Sequence, residues 1–421
     1  MEYRFSKITK MDETVILERD FIGENPLHYY LNPNTKETVV ANSIREIKRD
    51  LEDRGVKFLW EHVRAVSNNK KIAIIPDTFY NMRPEITELS VPLQEMTAPD
   101  VDLLDITALG LYIRKLLIQS IKERIATIKE NVVGLLLSGG LDSISIGYFL
   151  KHGCQNKNIR AFTLKANDND PGVAKARAVA QQLCIDLTEV RISRRKNEIY
   201  IDVEIYNKVG ILEKKYSLPT TRVSHVVGQS LLIAENPKRD NLFCSIAMYL
   251  IGMAIRSEGV KTVFCGEGPN EMINDYGFNP PKEGYPDMGV NSIYFRQALT
   301  FGLKEADVQL GRGGLAKHAL SRMGKMLSFY GIRLESPFFD PDVANVLTRI
   351  PYPNEDYGVI KPKIIQSILC DDGMNILGPL DGISKEKFQD ESGVTMLFTE
   401  YDQNKLTRLF KEIYGVNKES Y

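Results

Sequence analysis

Residues 132–150 read VVGLLLSGGLDSISIGYFL, and this stretch decides the fold. Its first six residues, VVGLLL, are an unbroken apolar run of strand length, which predicts a buried strand. SISIGYFLK continues from Ser143 as a helix, with a glycine-containing turn between the two. The alternation then repeats downstream: a strand at RAFTLK, a helix at GVAKARAVAQQL, a strand at LTEVRI, a long helix at FCSIAMYLIGMAIRSEG and a strand at KTVFC that runs into GEG. Strands separated by helices of this length require βαβ crossovers, so the expected class is α/β, a mostly parallel sheet covered by helices.

Working outward, residues 106–129, ITALGLYIRKLLIQSIKERIATIK, carry Leu109, Ile113, Leu116, Leu117, Ile121 and Ile125 at the spacing of an amphipathic helix. Upstream of it EMTAPDVD, with Pro99 and several acids, reads as a linker and places a boundary near residue 100. Residues 1–100 then form a small sheet-based domain, with β-rich runs at ETVILERDF, HYYLNP, TKETVVAN and KKIAIIPDTFY and one helix at SIREIKRDLEDRG. Residues 101–421 form the larger domain, mainly helical past residue 285, while 194–240 give no clear pattern.

The composition narrows the function classes. The chain has 421 residues, 43% of them hydrophobic and 26% charged, with a net charge of -1. That balance gives no electrostatic case for a general nucleic-acid or membrane-surface partner. The N-terminal MEYRFSKITKMDE has no apolar core of a secretory signal, and no apolar run reaches the roughly 18 residues of a membrane span. Five scattered cysteines (Cys154, Cys184, Cys244, Cys265 and Cys370) form no CxxC pair, which fits reduced thiols and a cytoplasmic setting. An assembly of identical chains is compatible with the sequence.

Chemistry concentrates in Ser138-Gly139-Gly140-Leu141-Asp142-Ser143. Two glycines let the backbone approach a ligand, the helix that follows presents unpaired N–H groups and its positive dipole end, and two serine hydroxyls add donors for phosphate oxygens. There is no lysine of the Walker type; Asp142 instead supplies an oxygen suited to Mg²⁺.

The SGGLDS motif resembles the PP-loop signature of the N-type ATP pyrophosphatases, and within that group the chain is similar to the asparagine synthetase family with its β-lactam synthetase relatives. Three further segments match in order: FCSIAMYLIGMAIRSEGVKTVFCGEGPNEMINDYG, with the family's GEGxDE loop; GIRLESPFFDPDVANVLTRIP, similar to its PFLD segment; and SKEKFQDESGV, similar to its lysine-containing KEQF loop. The resemblance covers about residues 105–395. It implies an ATP-pyrophosphatase sheet in which Asp142 binds Mg²⁺ and Ser138, Gly139, Gly140 and Ser143 cradle pyrophosphate. It also implies that Leu137, Thr163, Cys265 and Gly266 line the adenosine of ATP. Glu267 matches the acid near the reacting carbonyl, as a general base or as the group that orients the amine, and Lys385 matches the lysine that neutralises the α-phosphate and the leaving pyrophosphate.

The implied activity is an AMP-forming amide ligase that joins a small carboxylate to an amine or ammonia, in a setting such as natural-product tailoring. Two rivals stay open: adenylation of a nucleobase carbonyl, and a catalytically degenerate nucleotide-binding protein. Three departures bear on this. ERDFIGENPLHYYL resembles part of the glutaminase domain fused to asparagine synthetases, but Glu2 stands where that enzyme needs its cysteine, so glutamine hydrolysis is not expected. Asn270 stands at the family's second Mg²⁺-binding aspartate, with Glu271 next to it as a substitute carboxylate, and Glu335 stands at an arginine of the PFLD segment.

Overall fold

A computed structural model describes residues 6–11, 14–19, 26–32, 35, 37–66, 70–74, 85–88, 99–153, 156–165, 170–273, 319–347, 349–350, 360–369 and 393–416. The protein is a mixed α/β structure built on an eight-stranded, mostly parallel sheet with two small antiparallel sheets near the N-terminus.

The N-terminal strands are β1 (Ser6–Met11), β2 (Thr14–Arg19), β3 (His28–Leu31), β4 (Thr38–Ala41), β5 (Val63–Ala65), β6 (Lys70–Ile74) and β7 (Glu85–Glu88). They form one sheet in the order β1-β2-β6-β7 and another in the order β4-β3-β5. Helix α1 (Ile44–Asp53) starts where Ser43 accepts the amide hydrogen of Glu46, and it buries Ile44, Ile47 and Leu51. This corner packs on the C-terminal helix: Trp60 meets Phe410 and Tyr414 at ring-centroid distances of 5.2 Å.

Helix α2 (Ile106–Thr127) begins at Asp105, whose carboxylate accepts from the amides of Thr107 and Ala108. The expected stripe buries Leu109, Ile113, Leu117 and Ile121, with Leu116 and Ile125 partly buried. The parallel strands follow the sequence pattern: β8 (Val132–Leu136), α3 (Leu141–Gly153), β9 (Asn158–Lys165), α4 (Pro171–Gln182) and β10 (Asp186–Arg195).

The stretch that gave no clear pattern contains an antiparallel extension: β11 (Glu198–Tyr206), β12 (Leu212–Ser217) and β13 (Thr221–Arg222). Along β11 the side chains of Ile199, Ile201, Val203 and Ile205 alternate into the core. The turn into β12 is held by Asn207, whose side-chain oxygen accepts from the amides of Val209 at 3.1 Å and Ile211 at 2.9 Å.

Helices α5 (Val223–Ala234) and α6 (Arg239–Ser257) lead into β14 (Thr262–Phe264) and α7 (Pro269–Ile273). After residues 274–318, which lie outside the described set, come α8 (Ala319–Phe329), β15 (Arg333–Glu335), α9 (Pro341–Leu347), α10 (Ile360–Leu369), α11 (Val394–Leu397) and α12 (Gln403–Tyr414). The described part past residue 285 is therefore helical apart from one short strand.

The sheet order is β12-β11-β10-β9-β8-β14-β15, with β13 on β11. From β10 to β15 every pairing is parallel. The chain winds from β8 outward to β10, then returns to the other side of β8 as β14. The strand order therefore reverses between β8 and β14, and the ends of the strands at such a reversal are the place where open α/β sheets bind ligands. One face of the sheet is covered by α2, α3, α4, α9 and α10, the other by α5, α6, α8 and α12. Among the described residues no helix is long and apolar enough to cross a membrane.

Candidate active site at the end of strand β8

The turn after β8 is tied to itself. Ser143 Oγ donates to the carbonyl of Gly140 at 2.9 Å and lies 3.2 Å from Ser138 Oγ, while the amides of Ser138 and Gly140 donate to the serine hydroxyls at 3.3 Å. Gly139 takes φ +82°, and a Cβ there would lie 2.4 Å from the carbonyl oxygen of Gly172 in the first turn of α4. Glycine is thus required for both the left-handed backbone and the space. Ser138 and Gly140 are exposed at the head of α3, the helix end whose dipole favours an anion.

Leu137 and Thr163 lie side by side: the Leu137 amide donates to Phe162 at 2.9 Å, and both residues are buried. Two residues beyond Thr163 on β9, the buried Lys165 lies 3.6 Å from Glu189, a fully buried carboxylate of β10 that also takes two hydrogen bonds from Arg177 of α4. This ionic cluster fixes α4 against the strand ends beside the nucleotide position expected from the sequence.

The loop after β14 closes the other wall. A Cβ on Gly266 would lie 2.4 Å from the carbonyl carbon of Asp142 and 2.5 Å from the amide nitrogen of Ser143, so the GEG loop rests directly on the first turn of α3. Cys265 is buried; its amide donates to the carbonyl of Glu335 at 2.9 Å and its Sγ lies 3.0 Å from Ser336 Oγ, the setting of a packed thiol. Glu267 is half-buried on this loop. Lys385 and the Glu271 side chain lie outside the described residues.

Sequence reasoning missed Lys361. This lysine, in the first turn of α10, is 5% exposed, and its Nζ donates to Asp142 Oδ2 at 2.8 Å and to Asn270 Oδ1 at 2.5 Å. Helix α10 is held in place by packing on α2 and α3, and by Ser367 Oγ donating to the carbonyl of Ile106 at 2.9 Å. One ammonium therefore joins the first turn of α3, which follows β8, to α7, which follows β14. No local pattern around KPKIIQSIL marks that lysine, because its two partners lie 219 and 91 residues away in the chain.

The unexpected Glu335 also finds a cation. It is buried, with Arg124 of α2 at 3.3 Å and Arg333 at 2.5 Å; Arg124 also reaches Asp340 at 3.3 Å.

Mg²⁺ fits this site at one place. Asp142 Oδ1 is buried and has no hydrogen-bond partner among the described residues, the condition of a carboxylate oxygen waiting for a ligand. The described residues contain no group of three or more His, Cys, Asp or Glu that could hold a metal on its own, so an ion there would take most of its ligands from phosphate and water.

Residues 112–225 match the family model described as asparagine synthase. The matched segment contains the SGGLDS turn and Thr163 and ends in α5, ahead of the GEGPNE loop and α10. No curated protein matches the chain.

Proposed function

We propose that this protein is an ATP-dependent, AMP- and pyrophosphate-forming ligase that activates a small carboxylate and passes it to an amine or ammonia, without hydrolysing glutamine. The observation that carries the reading is the SGGLDS turn itself, set at the strand-order reversal of a parallel sheet with Ser138 and Gly140 exposed at the head of the helix that follows. The similarity of residues 112–225 to asparagine synthase supports a ligase that uses ATP and forms C–N bonds.

In this reading Ser138, Gly139, Gly140 and Ser143 bind the β- and γ-phosphates as a leaving group, and Leu137, Thr163, Cys265 and Gly266 line the adenosine. Mg²⁺, when bound at Asp142, supplies charge neutralisation on the phosphate oxygens. Lys361 adds a positive charge fixed before substrate arrives, so no reorganisation is needed as negative charge develops. Glu267, on the wall opposite the turn, orients the amine or takes its proton. Lys385 completes the neutralisation of pyrophosphate.

Carboxylate-dependent exchange of labelled pyrophosphate into ATP, measured over a panel of small acids, tests this. At least one acid should support exchange and yield AMP. ADP and orthophosphate as direct products would refute it, and tight ATP binding with no product from any acid or nucleobase would favour the degenerate nucleotide-binding reading.

A further inference from the structure

Lys361, not a divalent ion, occupies the position between the first turn of α3 and α7: we infer that it is a resident cation which replaces a metal between Asp142 and Asn270, leaving Asp142 Oδ1 as the one metal position among the described residues. The place of this cation in ATP chemistry rests on the reading above; its identity as a substitute for a metal does not.

The argument begins with space. A divalent ion bridging Asp142 Oδ2 and Asn270 Oδ1 would sit about 2.0–2.1 Å from each oxygen for Mg²⁺. Lys361 Nζ already lies 2.8 Å and 2.5 Å from those same two atoms, at 5% exposure. Metal and ammonium would have to share one position, and two cations at such separation repel strongly in a region screened from water.

Charge gives the second step. Asp142 and Lys361 sum to zero, and Asn270 adds a neutral oxygen that accepts a hydrogen bond. A carboxylate at 270 would leave a net charge of -1, which a divalent ion could balance better than one ammonium. Asparagine at 270 and lysine at 361 thus form a matched pair: the amide removes the charge that would call for a metal, and the ammonium supplies a donor to the amide oxygen. The remaining oxygen of Asp142 is the one buried without a partner among the described residues. One carboxylate oxygen gives little metal affinity by itself, so that ion would arrive with its polyphosphate.

The test is a titration of the full chain with Mn²⁺, free ion being read by electron paramagnetic resonance, without nucleotide. The wild-type chain should show no site at micromolar Mn²⁺. The N270D/K361M variant, with two carboxylates and no ammonium, should bind Mn²⁺ at least tenfold more tightly. Lys361→Met alone should melt about 5 °C or more lower than wild type in EDTA, from an unpaired buried carboxylate, and Mn²⁺ should restore part of the loss.

Wild-type Mn²⁺ affinity equal to that of the double variant would overturn the inference, as would an unchanged melting temperature for Lys361→Met. Asn270→Asp, which keeps the ammonium, guards against variants that fail to fold: it should gain no tight site, and a site as strong as the double variant's would refute the exclusion. With α,β-methylene-ATP present, wild type should bind one Mn²⁺ per chain, and two would overturn the claim. Failure of that nucleotide to bind would count against the proposed function alone, because the nucleotide-free arms decide the cation.

Discussion

Gly266→Ala is the sharpest probe of the crevice, because the structure gives both its mechanism and its size. The added Cβ would meet three backbone atoms of the first turn of α3: the carbonyl carbon of Asp142 at 2.4 Å, the amide nitrogen of Ser143 at 2.5 Å and the carbonyl oxygen of Asp142 at 2.6 Å. Ordinary contact begins near 3.4 Å, so one segment must move by about 1 Å, and neither is a flexible side-chain end. Overpacking of this kind costs about 1–3 kcal/mol of stability. The larger effect falls on activity, since separating the two walls by about 1 Å misplaces groups that must act together and lowers rates by about a hundredfold. Urea unfolding and pyrophosphate exchange measure the two effects. Gly324→Ala is the internal control: it lies in α8 with nothing within 4 Å of the added Cβ, so exchange should stay at the wild-type rate. Wild-type exchange and an unshifted urea midpoint in Gly266→Ala would refute the packing of the GEG loop on α3.

Asp142→Asn should reduce nucleotide-dependent turnover by about a hundredfold or more, since it removes the carboxylate that accepts from Lys361 and offers its other oxygen to the metal position; full activity would take Asp142 out of the mechanism. Arg124→Met should destabilise the protein by about 3 kcal/mol in urea unfolding, because the buried Glu335 loses a buried cationic partner and keeps the more exposed Arg333; a change under about 1 kcal/mol would show that the buried pair is not stabilising. Burial first, and then hydrogen bonds to Glu204 and Glu258, push the phenols of Tyr206 and Tyr216 up to about 12. The unfolded chain ionises both near pH 10 while the folded chain keeps them neutral, so their contribution is fully present below pH 10 and is lost as the pH rises to about 12. Tyr216→Phe should flatten that fall in unfolding measured at pH 9 and 11, and an unchanged slope would contradict the shift.

The parallel sheet was legible because its strands are continuous apolar runs and its helices carry a separate period; the SGGLDS turn was legible because its glycines, serines and aspartate are adjacent in sequence. The extension β11–β12 was missed although β11 alternates apolar and polar residues from Ile199 to Ile205. Its charged partner β12, LEKKYS, has no apolar face to match, and its exposure shows why: it is an edge strand. The ionic contacts were illegible for a different reason. Lys165 with Glu189, Arg124 with Glu335 and Lys361 with Asp142 are each brought together by the sheet order or by helix packing, neither of which leaves a local spacing in the chain.

The two residues that depart from the pattern expected from the sequence resemblance, Asn270 and Glu335, become one physical statement once those contacts are considered. At 335 an acid stands where an arginine is expected, and at 270 an amide stands where an acid is expected. Read singly, the first introduces an unbalanced buried charge and the second removes a metal ligand. Each is answered by a cation from a helix on the same face of the sheet, Arg124 from α2 and Lys361 from α10. Those helices pack on each other, and Ser367 joins them by its hydrogen bond to Ile106. The charge at the ends of β8, β14 and β15 is therefore set by a helix pair rather than by the loops that carry the motifs. If the proposed function holds, a substitution at 270 or 335 is expected to act through the cation opposite it, so that residue and the helix cation must be changed together to separate a lost function from a relocated one.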